Sequence, residues 1–352
     1  MSRTQVIYGA WCDIDLDSEG KSVGAVHVSI STDRSAYRAL RIPLVVIRNG
    51  IGPGCLLTGG SHGDEWEGQI VASGLCRDMQ PGDVNGTLII MPHANLPACE
   101  AGSRLSPLDG GNLNMAFSED PAGGPTRQIA RFIAAEIFPR IGYWIDLHSG
   151  GGSLTYWPLP AIPMAQDREL NHRALEALSL FGAPRNLVFE VQEVRSASSA
   201  AQRSGITYVY GEFGGGGLVS SEGLRTARAG TSRLLSGIGV LRHKERAPAA
   251  EAPRYFLIPG SDYRESRRLY WFARRTGCFE PRVSLGDEVD AGALVGMVHP
   301  LGTAGEESQP VFTELAGTVI CLRNGPRVEN GDCLGHLGIA TSRAELARRW
   351  TA

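Results

Sequence analysis

Lysine is nearly missing from this 352-residue chain: Lys21 and Lys244 are the only two. Basic charge is carried by arginine, and the excess is on the acidic side, with a formal net charge of -3. That balance leaves no electrostatic footprint for nucleic acid and no polybasic patch for anionic lipid. Long apolar runs are also lacking, so no membrane-spanning segment is expected. The first twenty residues lack the apolar stretch of a secretory signal. Cysteine is sparse and unpaired in pattern: seven residues, an odd number, with no C-x-x-C. That excludes a cysteine-rich zinc framework and suits reduced, buried thiols in a cytoplasmic protein. The glycine cluster of residues 214–217 lacks the Lys-Ser/Thr of a P-loop and the spacing of a dinucleotide fingerprint, so no nucleotide cofactor is expected.

What is present is the texture of an α/β protein. After an irregular, strand-rich arm (residues 1–37), IPLVVIRNG (42–50) opens a series of apolar runs bounded by glycine, as buried strands require. GCLLTGG (54–60), GTLIIMPHAN (86–95), YWIDLH (143–148) and ITYVYGEF (206–213) read as strands. EWEGQIVASGLCRDM, TRQIARFIAAEIFPR and DRELNHRALEALSLF read as helices. This alternation to residue 245 predicts a mixed sheet with helices on both faces. HKERAPAAEAP (243–253) reads as a linker, and 254–340 as a β-rich domain whose two halves echo each other. That domain resembles the biotinyl/lipoyl barrel-sandwich fold. A carrier role needs a lysine on its hairpin; the segment has none, so a structural role is expected. A helix over SRAELARRW closes the chain (341–352).

The chemically informative segment is GGSHGDEWEG (59–68). It puts His62 and Glu65 three residues apart just after a strand, and His148 ends another strand in YWIDLHSGGG. Two imidazoles and a carboxylate with a fourth position open to water form the donor set of a catalytic zinc site, one ion per chain. Any one of these residues has a bland reading: H-x-x-E arises by chance, and His148 could cap a strand end. Their joint occurrence at strand ends, where open α/β sheets place active sites, favours the metal. Asp146, two residues before His148, either orients that histidine from behind the metal or is a buried strand partner. His93, His299 and His336 read as structural, and Gly150 to Gly152 as keeping space beside the metal.

These motifs, with N-x-x-A, Arg104 and D-G-x-N-L-N in the segment 95–117, resemble the succinylglutamate desuccinylase/aspartoacylase family. Within it the layout is most similar to deacetylases of N-acetyl-diaminobutyrate. The resemblance covers residues 40–240 in ordered motifs, and the β-rich segment is also similar. It implies a zinc-carboxypeptidase-like fold and hydrolysis of a small N-acyl, foremost N-acetyl, amine. Glu212 would be general acid and base, Arg104 would steady the oxyanion, and Asn114 would help hold the substrate carboxylate. Asn112 belongs to the same substrate-side segment, where with Asp109 it shapes the turn. Family members are often oligomeric, so a homo-oligomer is expected. One departure stands out. Where relatives carry arginine as a carboxylate clamp, this chain has Met115, an apolar wall without donors. The usual F-P-G is altered to Phe117, Ser118 and Glu119. Either Arg127 or Arg225 replaces the clamp, or the substrate has no carboxylate there. Two rival readings keep the metal: a peptidase acting on C-termini, and a binding protein whose catalysis has lapsed.

Overall fold

The computed structural model describes residues 9–118, 123–191, 194–245, 252–260 and 262–351. Glu119, much of the 243–253 linker and the first eight residues lie outside them. Strands are β1 (Ala10–Cys12), β2 (Gly20–Thr32), β3 (Ser35–Asn49), β4 (Gly54–Gly59), β5 (Gly86–Met91), β6 (Tyr143–His148), β7 (Leu154–Tyr156), β8 (Leu159–Pro163), β9 (Arg185–Phe189), β10 (Thr207–Glu212) and β11 (Arg254–Ile258). Between them run α1 (Trp66–Asp78), α2 (Leu96–Ala101), α3 (Pro125–Phe132), α4 (Arg168–Phe181), α5 (Ala197–Arg203) and α6 (Ser221–Gly237). The chain then gives β12 (Tyr270–Phe272), β13 (Gly277–Pro281), β14 (Glu288–Val289), β15 (Leu294–Pro300), β16 (Gln309–Phe312), β17 (Gly317–Arg323), β18 (Arg327–Val328), β19 (Cys333–Thr341) and a closing helix, Arg343–Thr351.

One mixed sheet runs in the order β1-β2-β3-β5-β4-β6-β10-β8-β9-β11-β19-β17-β14. Its centre, β5-β4-β6-β10, is parallel, and the β2–β3 hairpin, which takes in residues 20–37 of the expected arm, extends it on one side. On the other side β11 pairs β9 in parallel and β19 antiparallel, so the sheet continues into the C-terminal segment. There a second sheet, β16-β15-β13-β18, closes over a core that includes Phe279, Val298, Val319 and Leu337. This is the expected α/β fold with a β-rich sandwich at its C-terminus.

Side chains alternate across the central strands, and each face has its own core. Leu57, Ile145, Leu147 and Val209 meet α4 and α6 residues such as Leu178, Phe181 and Leu234. Leu56, Trp144 and Tyr208 meet Ile129, Phe132 and Ala201 on the opposite face. α4 has clear end signals: the Asp167 side chain accepts from the N–H groups of Glu169 and Leu170, and Gly182 stops the helix at φ 65°. Such caps are worth about 1 kcal/mol. The helix expected over 126–140 starts with Pro125 and changes form. A π-helical turn spans Ile133–Ile137 and a 3-10 turn follows at Phe138–Arg140. Pro139 has no N–H for the α-helical ladder, which accounts for the altered winding there.

Candidate metal and active site

The even-numbered stripe that is apolar in mid-sheet becomes polar at the strands' carboxyl ends. On β4 it runs Leu56, Thr58; on β6 Trp144, Asp146, His148; on β10 Tyr208, Tyr210, Glu212. The parallel register sets Thr58 beside Asp146, Asp146 beside Tyr210, and His148 beside Glu212. Chemistry therefore gathers where the core stripe leaves the sheet.

His62 comes from the loop after β4, and Glu65 is the N-cap of α1 in extended conformation. Gly63 permits that turn: a Cβ there would meet the Ala98 carbonyl oxygen at 1.9 Å. Glu65 Oε1 lies 2.7 Å from His62 Nδ1, and Oε2 lies 2.8 Å from His148 Nδ1. The Ser149 N–H also donates to Oε2, at 3.1 Å. All three side chains are buried, and one donor atom from each falls within 4.8 Å of the others. Two imidazole nitrogens and a carboxylate oxygen, converging so closely and shielded from bulk water, fit a zinc ion.

The far side of each imidazole is also engaged. His148 Nε2 faces Asp146 Oδ2 at 2.9 Å, and His62 Nε2 faces Asn112 Oδ1 at 2.9 Å. A partner behind each ring leaves Nδ1 facing Glu65 and the candidate metal position. Asp146 is itself fixed by Thr58 Oγ1 (2.6 Å), Ser61 Oγ (3.1 Å) and the Tyr208 hydroxyl (2.8 Å), all donating. Asp146 is thus both a buried strand residue and a partner of His148, so each of its two readings has a counterpart in the structure. Asn112, grouped with the substrate-side residues, instead spends its amide oxygen behind His62. Its spacing alone held no sign of this, because the contact joins residues 50 apart.

Electrostatics follow from burial and proximity. Burial alone would raise the Glu65 carboxyl, but His62 and His148 overcome it and hold the group well below the usual carboxylate range. Asp146 is likewise held low, against its burial, by His148 and the hydroxyls of Thr58 and Tyr208. Burial opposes a proton on His148, yet Asp146 and Glu65 raise it well above the ordinary imidazole value. Glu212 behaves in the opposite way: burial and then the Glu65 charge push it well above 4.5, with His148 and Arg104 pulling back. Its Oε2 is enclosed and has no hydrogen-bond partner among the described residues.

His62, Glu65, Arg104, Asn114, Met115, His148 and Glu212 all border one cleft of about 460 Å³. Arg104, about half exposed, donates to Glu65 Oε1 at 3.2 Å. Arg127 borders an adjoining hollow that shares Met115 with the cleft, while Arg225 is exposed on α6, which packs on the sheet's other face. His93 lines a separate hollow. His299 pairs with Glu280 in the β-rich segment (2.8 Å). Sequence reasoning overlooked Tyr156, Phe189, Ser196, Ser198 and Tyr210, which complete the cleft. The two-residue period of Y-V-Y-G-E would have placed Tyr208 and Tyr210 on the Glu212 face.

The fold and this site define a class of hydrolase. Residues 51–238 match the family model for the succinylglutamate desuccinylase/aspartoacylase catalytic domain, and the chain belongs to that family, whose members cleave non-peptide amides. Among individual proteins it is 35% identical over 323 residues to an N-alpha-acetyl-L-2,4-diaminobutyric acid deacetylase of Halomonas elongata, covering 91% of this chain and 92% of that one. It is also similar to two solved structures, each at TM-score 0.87 with 95% of this chain and 99% of the other covered. One is a succinylglutamate desuccinylase/aspartoacylase from Rhodobacter sphaeroides (33% identity). The other is the product-bound ectoine utilization protein EutE (DoeB) from Ruegeria pomeroyi (32%).

Proposed function

We propose that this protein is a zinc-dependent deacylase that removes a small acyl group, foremost acetyl, from an amino-acid-like amine such as an acetylated diaminobutyrate. The observation that carries the reading is Glu212: an unpaired carboxylate oxygen at the end of β10, level with His148 on the neighbouring strand and facing the same cleft. His62, Glu65 and His148 would hold one zinc. When bound, zinc supplies a Lewis acid that lowers the pKa of water and polarises an amide carbonyl.

The chain's own groups do the rest. Glu212 accepts a proton from the attacking water and passes it to the departing nitrogen, so water and amide give a carboxylic acid and an amine. Its raised affinity for a proton favours the first transfer, and the growing basicity of the departing nitrogen drives the second. Arg104 offers a fixed positive charge at the cleft for the amide oxygen as that oxygen becomes anionic. Asn114 provides a polar contact and Met115 an apolar wall. A terminal-carboxylate peptidase would need a cationic clamp at Met115, and a lapsed enzyme would have no use for Glu212 beside an intact donor set. A cytoplasmic, homo-oligomeric protein acting on a free small molecule is the accompanying expectation.

The test combines metal analysis with amine release. Purified protein is assayed for zinc and offered N-acetyl, N-succinyl and N-formyl amino acids and diamines. About one zinc per chain and turnover of one acyl-amine, lost in Glu212→Gln, is the expected result. Zinc without turnover would end the deacylase reading, and failure to bind metal would end both parts of it.

A further inference from the structure

Tyr156 borders the cleft but has no part in the chemistry above. It sits on β7, whose partner is β17 of the β-rich segment: Tyr156 is level with Cys321, which is level with His336 on β19, which is level with Tyr270 on β12. The four form a row across four strands. His336 is fully buried, stacks on the Tyr270 ring at 4.4 Å, and places Nε2 3.1 Å from the Tyr156 hydroxyl. Its Nδ1 faces the Leu337 carbonyl oxygen at 3.4 Å.

The proton positions follow from these partners. Burial keeps His336 neutral, its pKa down at about 4, so one ring nitrogen donates and the other accepts. A carbonyl oxygen only accepts, so Nδ1 carries the hydrogen and Nε2 the lone pair. The Tyr156 hydroxyl must then donate to Nε2, and its proton is used up inside the protein. The buried Cys321 sulfur also lies against this hydroxyl, but the neutral imidazole nitrogen is the stronger acceptor of its proton. With its proton given to Nε2, the phenolic oxygen keeps acceptor capacity only.

The backbone of Tyr156 is tied to the segment that follows Glu212. The Tyr156 N–H donates to the Gly214 carbonyl at 2.9 Å, two residues beyond Glu212, and Gly150 N–H donates to the same oxygen. The Glu212 charge is felt at the Tyr156 phenol. Tyr156 and Glu212 border the same cleft, so an acceptor on Tyr156 can meet the hydrogen of the nitrogen that Glu212 protonates.

We propose that Tyr156, with its proton held by His336, is a positioning residue that accepts a hydrogen bond from the N–H of the scissile amide and so turns the nitrogen lone pair toward Glu212. This rests on the deacylase reading and adds to it a requirement for an N–H at the cleaved bond. Proton transfer to nitrogen needs that lone pair to point at the acid, and a fixed N–H contact on the other side sets it. The C-terminal β-rich segment thereby contributes to the site through His336, rather than serving only as support.

The test compares an amide with its ester. The protein and its Tyr156→Phe and His336→Asn variants, matched for zinc content and thermal stability, are assayed on the preferred N-acetyl substrate. They are also assayed on the O-acetyl analogue, which has no N–H. Loss of one such contact predicts about a tenfold drop in kcat/KM for the amide in Tyr156→Phe, with kcat bearing most of it. The ester rate should stay within about twofold, and His336→Asn should show the same amide-selective loss. Equal loss on amide and ester, or no loss on either, overturns the role of Tyr156 while leaving the deacylase intact. Absence of amide turnover by the unaltered protein overturns both. If His336→Asn does not fold, the Tyr156→Phe comparison decides alone.

Discussion

Asp146 accepts from His148 Nε2 at 2.9 Å while His148 Nδ1 meets Glu65 Oε2 at 2.8 Å, so one imidazole is held between two buried carboxylates. Asp146 selects which nitrogen faces the metal position, and Thr58, Ser61 and Tyr208 select how Asp146 itself points. Asp146→Asn keeps the shape but can present an amide N–H where His148 needs an acceptor. Zinc affinity is expected to fall about 10- to 100-fold, read by competition with a chromophoric chelator. Asp146→Ala should cost more, about 3 to 5 kcal/mol of stability in denaturant unfolding, because a buried charged pair loses one partner.

Glu212→Gln removes the proton carrier and leaves the zinc donor set unchanged. A drop in kcat of about 10²- to 10⁴-fold is expected, with zinc content equal to the parent protein's. Retained activity in a zinc-loaded Glu212→Gln sample would assign the proton transfers to another group.

Much of this site was legible before any coordinates. His62, Glu65 and His148 stand out because glycines and strand ends mark their positions along the chain. The central strands and α4 were legible from apolar runs and clear end signals. α6 was not read as a separate helix, and its sequence shows why: Gly223, Gly230 and Gly237 depress helix propensity. Packing decides the matter instead. A Cβ on Gly230 would fall 1.8 Å from the Phe181 ring, so glycine is what allows α6 to lie close on α4. Asn112 behind His62 and the Tyr156–Cys321–His336 row were out of reach for a related reason. They join residues 50 to 180 positions apart, which only the tertiary fold brings together.

His336 has a second consequence, for pH. Its folded pKa of about 4 lies below the ordinary value of 6.5, so the unfolded chain binds the proton more tightly. Its stabilising contribution is therefore intact above pH 6.5 and is lost as pH falls toward 4. The full loss is about 3 kcal/mol. Thermal melts from pH 7 to pH 4 should show a falling Tm, and His336→Asn should flatten the part of that slope due to this residue.

Metal binding should itself depend on pH, in the other direction of cause. In the metal-free protein Asp146 and Glu65 raise the His148 pKa, so a metal entering the site must displace a proton. Zinc affinity is expected to rise with pH until that proton is gone. Calorimetric titrations in buffers of different ionisation enthalpy should find proton release on binding. A pH-independent affinity with no proton released would mean that His148 is already neutral before the metal arrives.

Met115 supplies the last prediction, about which substrates the cleft admits. It borders both the 460 Å³ cleft and the adjoining hollow where Arg127 lies, and it has no donor for a carboxylate. Met115→Arg places a planar cation at that junction, where two parallel N–H groups can grip a carboxylate. If the missing clamp is what sets selectivity, the variant should gain activity toward N-acyl aspartate-like substrates. It should lose activity toward acylated diamines, because a fixed positive charge now repels their free ammonium group. A shift in the ratio of the two kcat/KM values of about tenfold or more, with zinc content unchanged, is the expected reading. If the ratio does not move, selectivity resides elsewhere in the cleft, with the Phe189, Ser196 and Ser198 wall as the next place to test.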